Sequence, residues 1–403
     1  MSHPHSKRAR PAANPTASRP LTPQAPKPLY TPHMRILIDE DISHDVLFSP
    51  FGDVRAFSGR TLNDPTQALL ADLAAADALI IRSVTRIDRT LLDRCPRLAF
   101  LGTVTTGTDH IDAAAVRERG IALADAAGCN ALPVAEYVLA AINLLLNTEM
   151  DANGPSSPAP RSETGLPFRG VTLGILGRGR IGSIVAAWSA RLGLTVLACD
   201  PPLARAGVKD LVSFDELAAR ADLVSLHVPL TREGPDATVE LVNASWLARL
   251  RPGARLINTS RGDVMDEPAL LAALQSGRLA AAALDVWRGE PNVRADLVAA
   301  AALATPHIAG YSAPARRRAV RRVRDAFAQW MNSPAKSGVF SRSEPGESDS
   351  IPPRPPATGQ IATLVKKLSD WSDRFKSAAA IGRQAAAFDA LRREARAREE
   401  LTP

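Results

Sequence analysis

Short apolar runs alternate with helical patterns along most of this chain, from Arg35 to about residue 307. The runs have the length of strands, and they are continuously apolar rather than alternating with polar residues. Continuous runs are typical of strands in sheets that are covered on both faces. Eight such strands are predicted, at residues 36–38, 78–83, 98–102, 172–177, 195–200, 222–228, 254–260 and 281–287.

Stretches with helical periodicity separate these strands, among them residues 64–76, 112–120, 180–193 and 267–277. Strands that are joined through helices need crossover connections, and crossover connections make parallel sheets. The pattern therefore predicts an α/β fold with two Rossmann-like, doubly wound parallel-sheet domains.

Two longer helices interrupt the alternation, at about residues 133–150 and 313–331. Asn130 before the first helix and Glu136 in its first turn form a helix start signal. We predict a cofactor domain at 131–307, inserted into a substrate domain that comprises 34–130 and 308–331. Residues 151–168 are rich in Pro, Ser and Gly, which predicts a loop.

The two ends of the chain have a different composition. Residues 1–33 contain eight prolines and no apolar segment of the signal-peptide type, so we expect a disordered tail and take Met34 as a candidate translation start. Residues 332–360 have the composition of a linker. Residues 361–403 carry an amphipathic helical pattern, which predicts a small helical appendage that pairs with another surface.

Charge and cysteine content narrow the function classes. The net charge of +7 is concentrated in the two ends, and residues 34–330 are nearly neutral, which argues against a nucleic-acid partner. The three cysteines are far apart and show no metal-ligand spacing, so we expect free thiols in a reducing, cytoplasmic compartment and no metal. No apolar stretch has the length of a membrane span.

A glycine-rich loop lies between a predicted strand and a predicted helix. Gly177, Gly179 and Gly182 have the GxGxxG spacing, in which the glycines permit a tight turn, the approach of a pyrophosphate and close helix–sheet packing. The amides of Arg180 and Ile181 would face the phosphates at the positive end of the helix, and the Arg180 side chain offers a further charge.

An acidic residue ends the strand that follows this loop. Asp200 stands eighteen residues after Gly182, where a carboxylate accepts hydrogen bonds from the adenosine ribose and disfavours a 2′-phosphate. The alternative is a cluster of turn glycines followed by a capping aspartate. The order of strand, loop, helix, strand and acid favours an NAD site.

Polar residues follow the later strands of the same predicted domain. They are Arg261, Asp285, Glu290 and His307. Each alone has an ordinary structural interpretation, such as an exposed arginine or a capping aspartate. Together they predict one site, because ligands bind at the carboxyl ends of parallel strands.

These side chains suit the transfer of a hydride from a hydroxy acid. Arg261 would hold the substrate carboxylate at two points. His307 would take the hydroxyl proton, and Glu290 would fix the tautomer of its imidazole. Asp285 would orient the nicotinamide amide, and Gly310 would let the backbone approach the ring.

The chain resembles the D-isomer-specific 2-hydroxyacid dehydrogenase family. The resemblance covers nearly all of residues 34–331 and rests on GRGRIG, NTSRGDVMDEPALLAAL, LDVWRGEP and TPHIAGY. It implies that Arg261, Glu290 and His307 are catalytic and that NAD is the cofactor. It also implies substrate contacts at Ser83, Thr105 and Tyr311, and further cofactor contacts at Asp200, Val228, Asp285 and Gly310. Residues 361–403 resemble an abbreviated dimerisation segment of the family, which implies a homodimer.

The resemblance extends to members that act on a phosphorylated acid. The loops after residues 78–83 and 98–102 carry Arg82, hydroxyl groups and backbone amides, which suit a phosphate, although ordinary polar strand ends are an alternative. Another NAD-dependent dehydrogenase of the class, of the phosphoglycerate, glyoxylate or hydroxypyruvate type, remains open. So does a non-enzymatic NAD-sensing protein.

Overall fold

The computed structural model describes the chain in seven stretches. They are residues 34–42, 47–59, 61–63, 65–151, 154–158, 168–333 and 354–401. The predictions for residues 1–33 and for most of the 332–360 segment lie outside these stretches. No helix within them has the length and apolar content needed to cross a membrane.

The first sheet has five parallel strands in the order β2-β1-β3-β4-β5. The strands are β1 (Arg35–Asp39), β2 (Asp53–Phe57), β3 (Ala78–Ile81), β4 (Phe100–Thr103) and β5 (Ala122–Ala124), and the helices of this region are α1 (Gln67–Ala75), α2 (Arg89–Asp93) and α3 (Ala113–Glu118). The sequence pattern does not predict β2 or β5. β2 is an edge strand that is largely solvent-accessible, and β5 is only three residues long, so neither has a recognisable apolar run.

A long buried helix, α4 (Ala131–Asn147), follows the first sheet. It ends three residues earlier than predicted, because Thr148–Asp151 forms strand β6, which pairs antiparallel with β7 (Gly154–Pro158). The prediction of a continuous loop at 151–168 is therefore wrong in part. Pro, Ser and Gly carry no strand signal, whereas this two-stranded ribbon is defined by backbone pairing.

The second sheet has six parallel strands in the order β13-β12-β11-β10-β8-β9. Its strands are β8 (Thr172–Leu176), β9 (Thr195–Cys199), β10 (Leu223–Leu226), β11 (Ala254–Asn258), β12 (Leu279–Leu284) and β13 (Leu303–Ala304), and its helices are α5 (Arg180–Arg191), α6 (Pro201–Arg205), α7 (Phe214–Arg220), α8 (Ala244–Leu247), α9 (Glu267–Gln275) and α10 (Ala295–Ala300). The order reverses direction between β8 and β10, which is the switch point where doubly wound sheets bind ligands. The predicted pair of doubly wound α/β sheets is confirmed.

After the second sheet, helix α11 (Ala313–Asn332) packs against β4 and β5 of the first sheet. Phe327 makes an edge-to-face contact with Phe100, with ring centroids 4.9 Å apart. This contact agrees with the predicted return of the chain to the first region. The domain limits at 130/131 and 307/308 stay a prediction.

The last two helices, α12 (Thr358–Ala380) and α13 (Gln384–Ala395), pack against the second region. Leu368, Trp371 and Phe375 are buried in the same core as the second sheet, and α12 contacts α4, α10 and β13. The pairing that the amphipathic pattern predicts is observed. Its apolar face is covered by the same chain, so the pattern alone does not indicate a second subunit.

Candidate active site

His307 lies three residues after β13, at the carboxyl edge of the second sheet, and is held by Glu290. The distance from His307 Nδ1 to Glu290 Oε2 is 2.8 Å, and Glu290 Oε1 accepts a hydrogen bond of 3.0 Å from the Trp287 amide. Burial acts to raise the pKa of Glu290, but the charge of His307 and these hydrogen bonds outweigh it and lower the pKa. An ionised carboxylate only accepts, so Nδ1 carries the hydrogen and Nε2 is the atom suited to exchange a proton.

The backbone of His307 is in the left-handed region, with φ of 56°. Its amide donates to the Asp285 carbonyl at 2.7 Å, and the buried Asp285 carboxylate accepts from Thr305 Oγ1 at 2.6 Å and from the amides of Ile308 and Ala309 at 2.8 Å each. Burial raises the pKa of Asp285 to about 6 against the opposing effect of these partners. Both carboxylate oxygens of Asp285 thus accept hydrogen bonds from this chain, and these bonds fix the turn that carries His307. The contact of Asp285 with the nicotinamide stays a prediction.

Arg261 reaches from the second sheet to the first region. Its Nε donates to Asp109 Oδ2 at 2.7 Å, and its Nη1 donates to the Ser260 carbonyl at 2.7 Å. Asp109 belongs to the loop that follows β4. The backbone of the next residue, Gly262, lies so close to the backbone of Trp287 that a Cβ on Gly262 would be 2.0 Å from the Trp287 carbonyl carbon. The segment that carries Arg261 therefore contacts the turn that carries Glu290, as the prediction of a single site requires.

Ser83 and Thr105 follow β3 and β4, which are adjacent strands, so both lie at the carboxyl edge of the first sheet. The Thr105 hydroxyl lies 2.6 Å from Thr103 Oγ1 and donates to the Gly107 carbonyl at 2.9 Å. Ser83 is exposed. The two residues therefore stand in loops at the edge to which Arg261 extends, and their contacts with substrate stay a prediction.

Tyr311 is four residues after His307, and its partner comes from the end of the chain. The Tyr311 hydroxyl oxygen accepts a hydrogen bond of 2.9 Å from Arg392 Nε, and the Arg392 guanidinium lies 5.2 Å from the centre of the Tyr311 ring. Arg392 also acts electrostatically on Glu290. Sequence reasoning does not predict this role, because the arginines of α13 have the ordinary spacing of a solvated helix face.

The glycine loop has the shape that a dinucleotide pyrophosphate needs. Gly177 has φ of 92°, and a Cβ there would be 2.8 Å from the His227 carbonyl carbon, while a Cβ on Gly182 would be 2.1 Å from the Gly177 carbonyl oxygen. By contrast, no described atom lies within 4 Å of a Cβ position on Gly179. Helix α5 begins at Arg180, directly after Gly179, so its first amides point out of the N-terminus of the helix, which is the end that binds phosphates.

The remaining predicted cofactor residues surround the loop. Asp200 Oδ2 accepts from the Arg178 amide at 2.8 Å, and Asp200 Oδ1 caps α6 through the Leu203 amide at 3.1 Å. The Val228 amide nitrogen lies 2.9 Å from a Cβ position on Gly177. The Arg180 side chain does not extend along the glycine loop, because its Nη1 donates to the Ala127 carbonyl at 2.9 Å.

Gly310 contacts Asn130 at the start of α4. A Cβ on Gly310 would lie 2.7 Å from Asn130 Nδ2, and Asn130 Oδ1 is buried without a hydrogen-bond partner among the described residues. A buried amide oxygen without a partner is costly unless a ligand or water supplies the donor. The open space at Gly179 and this acceptor together fit a bound dinucleotide.

Comparison with known proteins agrees with this geometry. Residues 139–309 match the D-isomer-specific 2-hydroxyacid dehydrogenase NAD-binding domain. The chain is 38% identical to the erythronate-4-phosphate dehydrogenase of Aeromonas hydrophila, over 92% of this chain and 94% of that protein. The chain belongs to the D-isomer-specific 2-hydroxyacid dehydrogenase family.

Other proteins are also similar to the chain. The erythronate-4-phosphate dehydrogenase of Cronobacter sakazakii is 40% identical over 78% of each chain. Among solved structures, an NADPH-dependent glyoxylate/hydroxypyruvate reductase from Sinorhizobium meliloti is 27% identical with a TM-score of 0.61, covering 75% of this chain and 96% of that one. An NAD-dependent formate dehydrogenase from Staphylococcus aureus, solved with NAD, is 25% identical with a TM-score of 0.59, covering 74% and 96%.

Proposed function

We propose that the protein is an erythronate-4-phosphate dehydrogenase. It oxidises 4-phospho-D-erythronate to (3R)-3-hydroxy-2-oxo-4-phosphooxybutanoate with NAD, a step in the synthesis of pyridoxal 5′-phosphate. The observation that carries this proposal is the 2.8 Å pair of His307 and Glu290, on a segment that contacts the Arg261 segment at the edge of an NAD-type sheet. The identity to relatives of that name supports the choice of substrate.

Each side chain of the site has one task in this reaction. NAD, when bound, would supply the acceptor for the hydride that leaves C2 of the substrate. As the hydride leaves, His307 Nε2 takes the proton of the C2 hydroxyl, so that a C=O bond forms. Glu290 stabilises the resulting imidazolium through Nδ1, and Arg261 holds the substrate carboxylate beside His307.

The cofactor would bind at the β8–α5–β9 unit of the second sheet. The amides of Arg180 and Ile181 would bind the pyrophosphate, and Asp200 would accept from the ribose hydroxyls with lone pairs that its two amide partners leave available. Asn130 Oδ1, a buried acceptor close to Gly310, would be available to the carboxamide of the nicotinamide.

The homodimer and the cytoplasmic location are also proposals. The apolar face of α12 gives no support for the dimer, because it is buried against the second region of the same chain. A dimer would use another surface. Sedimentation of the purified protein tests the assembly, and a monomer at enzymatic concentrations contradicts the proposal.

The reaction is tested by following NADH formation with purified protein, NAD and a set of acids. We expect the highest kcat/KM with 4-phospho-D-erythronate, compared with 3-phosphoglycerate, glycolate and glycerate. Activity confined to non-phosphorylated acids would reject the proposed substrate and favour a dehydrogenase of the glyoxylate or hydroxypyruvate type. Tight NAD binding without turnover of any acid would favour a sensing protein.

A further inference from the structure

Three arginines from distant parts of the chain converge on one aspartate. Asp41, two residues after β1, accepts at Oδ2 from Arg82 Nη2 at 2.5 Å and lies 3.4 Å from Arg396 Nη1. The Asp41 carbonyl accepts from Arg316 Nη2 at 3.1 Å. Arg82 precedes the predicted substrate residue Ser83. Arg316 is in the first turn of α11, and Arg396 directly follows α13.

The three guanidiniums of this arginine cluster lie close enough to act electrostatically on one another. Arg82 contacts two carboxylates, since its Nε also donates to Asp39 Oδ1 at 2.8 Å. Burial lowers the pKa of Arg316, and the charges of Arg396 and Arg82 lower it further. Repulsion of this kind favours the binding of an additional anion.

The members of the cluster differ in exposure and in how closely they are paired. The Asp41 side chain is 47% exposed, and the side chains of Arg82 and Arg396 are 17% and 21% exposed. The contact of 3.4 Å between Arg396 and Asp41 is longer than the 2.7–2.9 Å of strong charge-assisted hydrogen bonds. Arg396 is therefore the member of the cluster that a ligand oxygen can engage at the least cost.

We propose that this arginine cluster binds the phosphate group of the substrate, and that the C-terminal segment completes the site through Arg396. The inference rests on the proposed function, and it extends the active site to a segment predicted only to mediate pairing. Guanidiniums from several directions match the oxygens of a tetrahedral dianion. Ser83 directly follows Arg82 in the chain, and Tyr311, four residues after His307, acts electrostatically on Arg316.

The first test replaces Arg396→Gln and uses Arg393→Gln, an exposed arginine of α13, as the matched control. We expect Arg396→Gln to raise KM for 4-phospho-D-erythronate about 10- to 100-fold with little change in kcat, since a charge-assisted contact made equally in ground and transition states is lost. The kcat/KM for D-erythronate, which lacks the phosphate, and the Kd for NAD should stay at wild-type values. An unchanged KM, or an equal loss with both acids, would show that Arg396 only joins parts of the fold and would overturn the proposal.

A second variant gives a readout that does not depend on turnover. Asp41→Asn removes the carboxylate that competes for the arginines, so the Kd of inorganic phosphate measured by calorimetry should fall about fivefold. A Kd that stays the same or rises would refute the site. If wild-type protein does not oxidise 4-phospho-D-erythronate, the proposed function fails, whereas phosphate affinity still tests the cluster directly.

Discussion

The carboxyl edges of the two sheets are built differently. Around His307, the polar groups are held by other groups of the same segment at fixed distances, as the partners of Asp285 and Glu290 illustrate. Around Asp41, three half-buried arginines from distant parts of the chain lie close to one another. A fixed arrangement suits proton transfer, which requires preorganised geometry, whereas a group of like charges suits the binding of an ionic ligand of opposite sign.

The largest effect is expected at the centre of the fixed edge. His307→Ala removes the proton acceptor, and kcat should fall by about 10²- to 10⁴-fold. The Kd for NAD, measured by fluorescence titration, should change little, because the glycine loop is intact. Wild-type turnover at neutral pH would remove His307 from the mechanism.

The next effect concerns the partner of His307. Glu290→Gln retains an acceptor for the Trp287 amide but removes the charge beside Nδ1, and a hydrogen bond to a charged group contributes about 1.5–3 kcal/mol. We therefore expect kcat to fall about 10- to 100-fold, with the melting temperature close to that of the wild type. The rate of NADH formation in the first turnover shows whether the fall in kcat arises in the chemical step. If that rate equals the wild-type rate, Glu290 does not assist proton transfer.

His110, at the edge of the first sheet, is a buried histidine whose effect should be on stability at low pH and not on turnover. Burial lowers the pKa of His110 to about 4, below its usual 6.5, and its Nε2 lies 3.2 Å from Thr103 Oγ1. Between pH 4 and pH 6.5, His110 is therefore protonated more readily in the unfolded chain than in the folded protein. Stability should fall as pH drops from 6.5 towards 4, by about 1.4 kcal/mol per pH unit.

Urea unfolding of the wild type and of His110→Gln at several pH values measures this dependence. The difference between the two proteins should be constant above pH 6.5 and should change progressively below it. Parallel curves over the whole range would mean that His110 is accessible to protons in the folded state.

The smallest effect concerns cofactor choice. Asp200 both caps α6 and is predicted to meet the ribose, and Asp200→Ser keeps a capping oxygen while removing the charge. The ratio of kcat/KM with NADP to that with NAD should rise about tenfold, which corresponds to about 1.4 kcal/mol. Asp200→Ala separates the cap from the charge, since it should lower stability by a further ~1 kcal/mol. An unchanged ratio in both variants would exclude Asp200 from ribose recognition.

Much of the fixed edge can be predicted from sequence. Asp285, Glu290 and His307 follow apolar runs, and the ends of parallel strands share one edge, so their proximity follows from the fold class. The sequence pattern does not predict strand β13, because a strand of two residues has no periodicity. It does predict that His307 follows the end of a strand, because the run before it is apolar and Pro306 marks a turn.

The arginine cluster and the Asp109 partner of Arg261 could not be predicted in this way. Asp109 and Arg261 are 152 residues apart, and their contact depends on how the two regions meet. The sequence pattern of α13 indicates that one face of the helix is apolar, but it does not indicate which surface of the protein covers that face. The positions of Arg392 and Arg396 depend on how α13 packs, so they cannot be predicted from the pattern.

The backbone of His307 is in the left-handed region, and holding a catalytic imidazole in this conformation lowers the stability of the fold. An L side chain held there costs roughly 1–2 kcal/mol, whereas glycine adopts this conformation freely. Glycine at 307 would remove this backbone cost, but it would also leave the buried Glu290 carboxylate without its Nδ1 partner. The melting temperature of His307→Gly therefore reports which of these two opposing effects is larger, in a protein that has lost its proton acceptor.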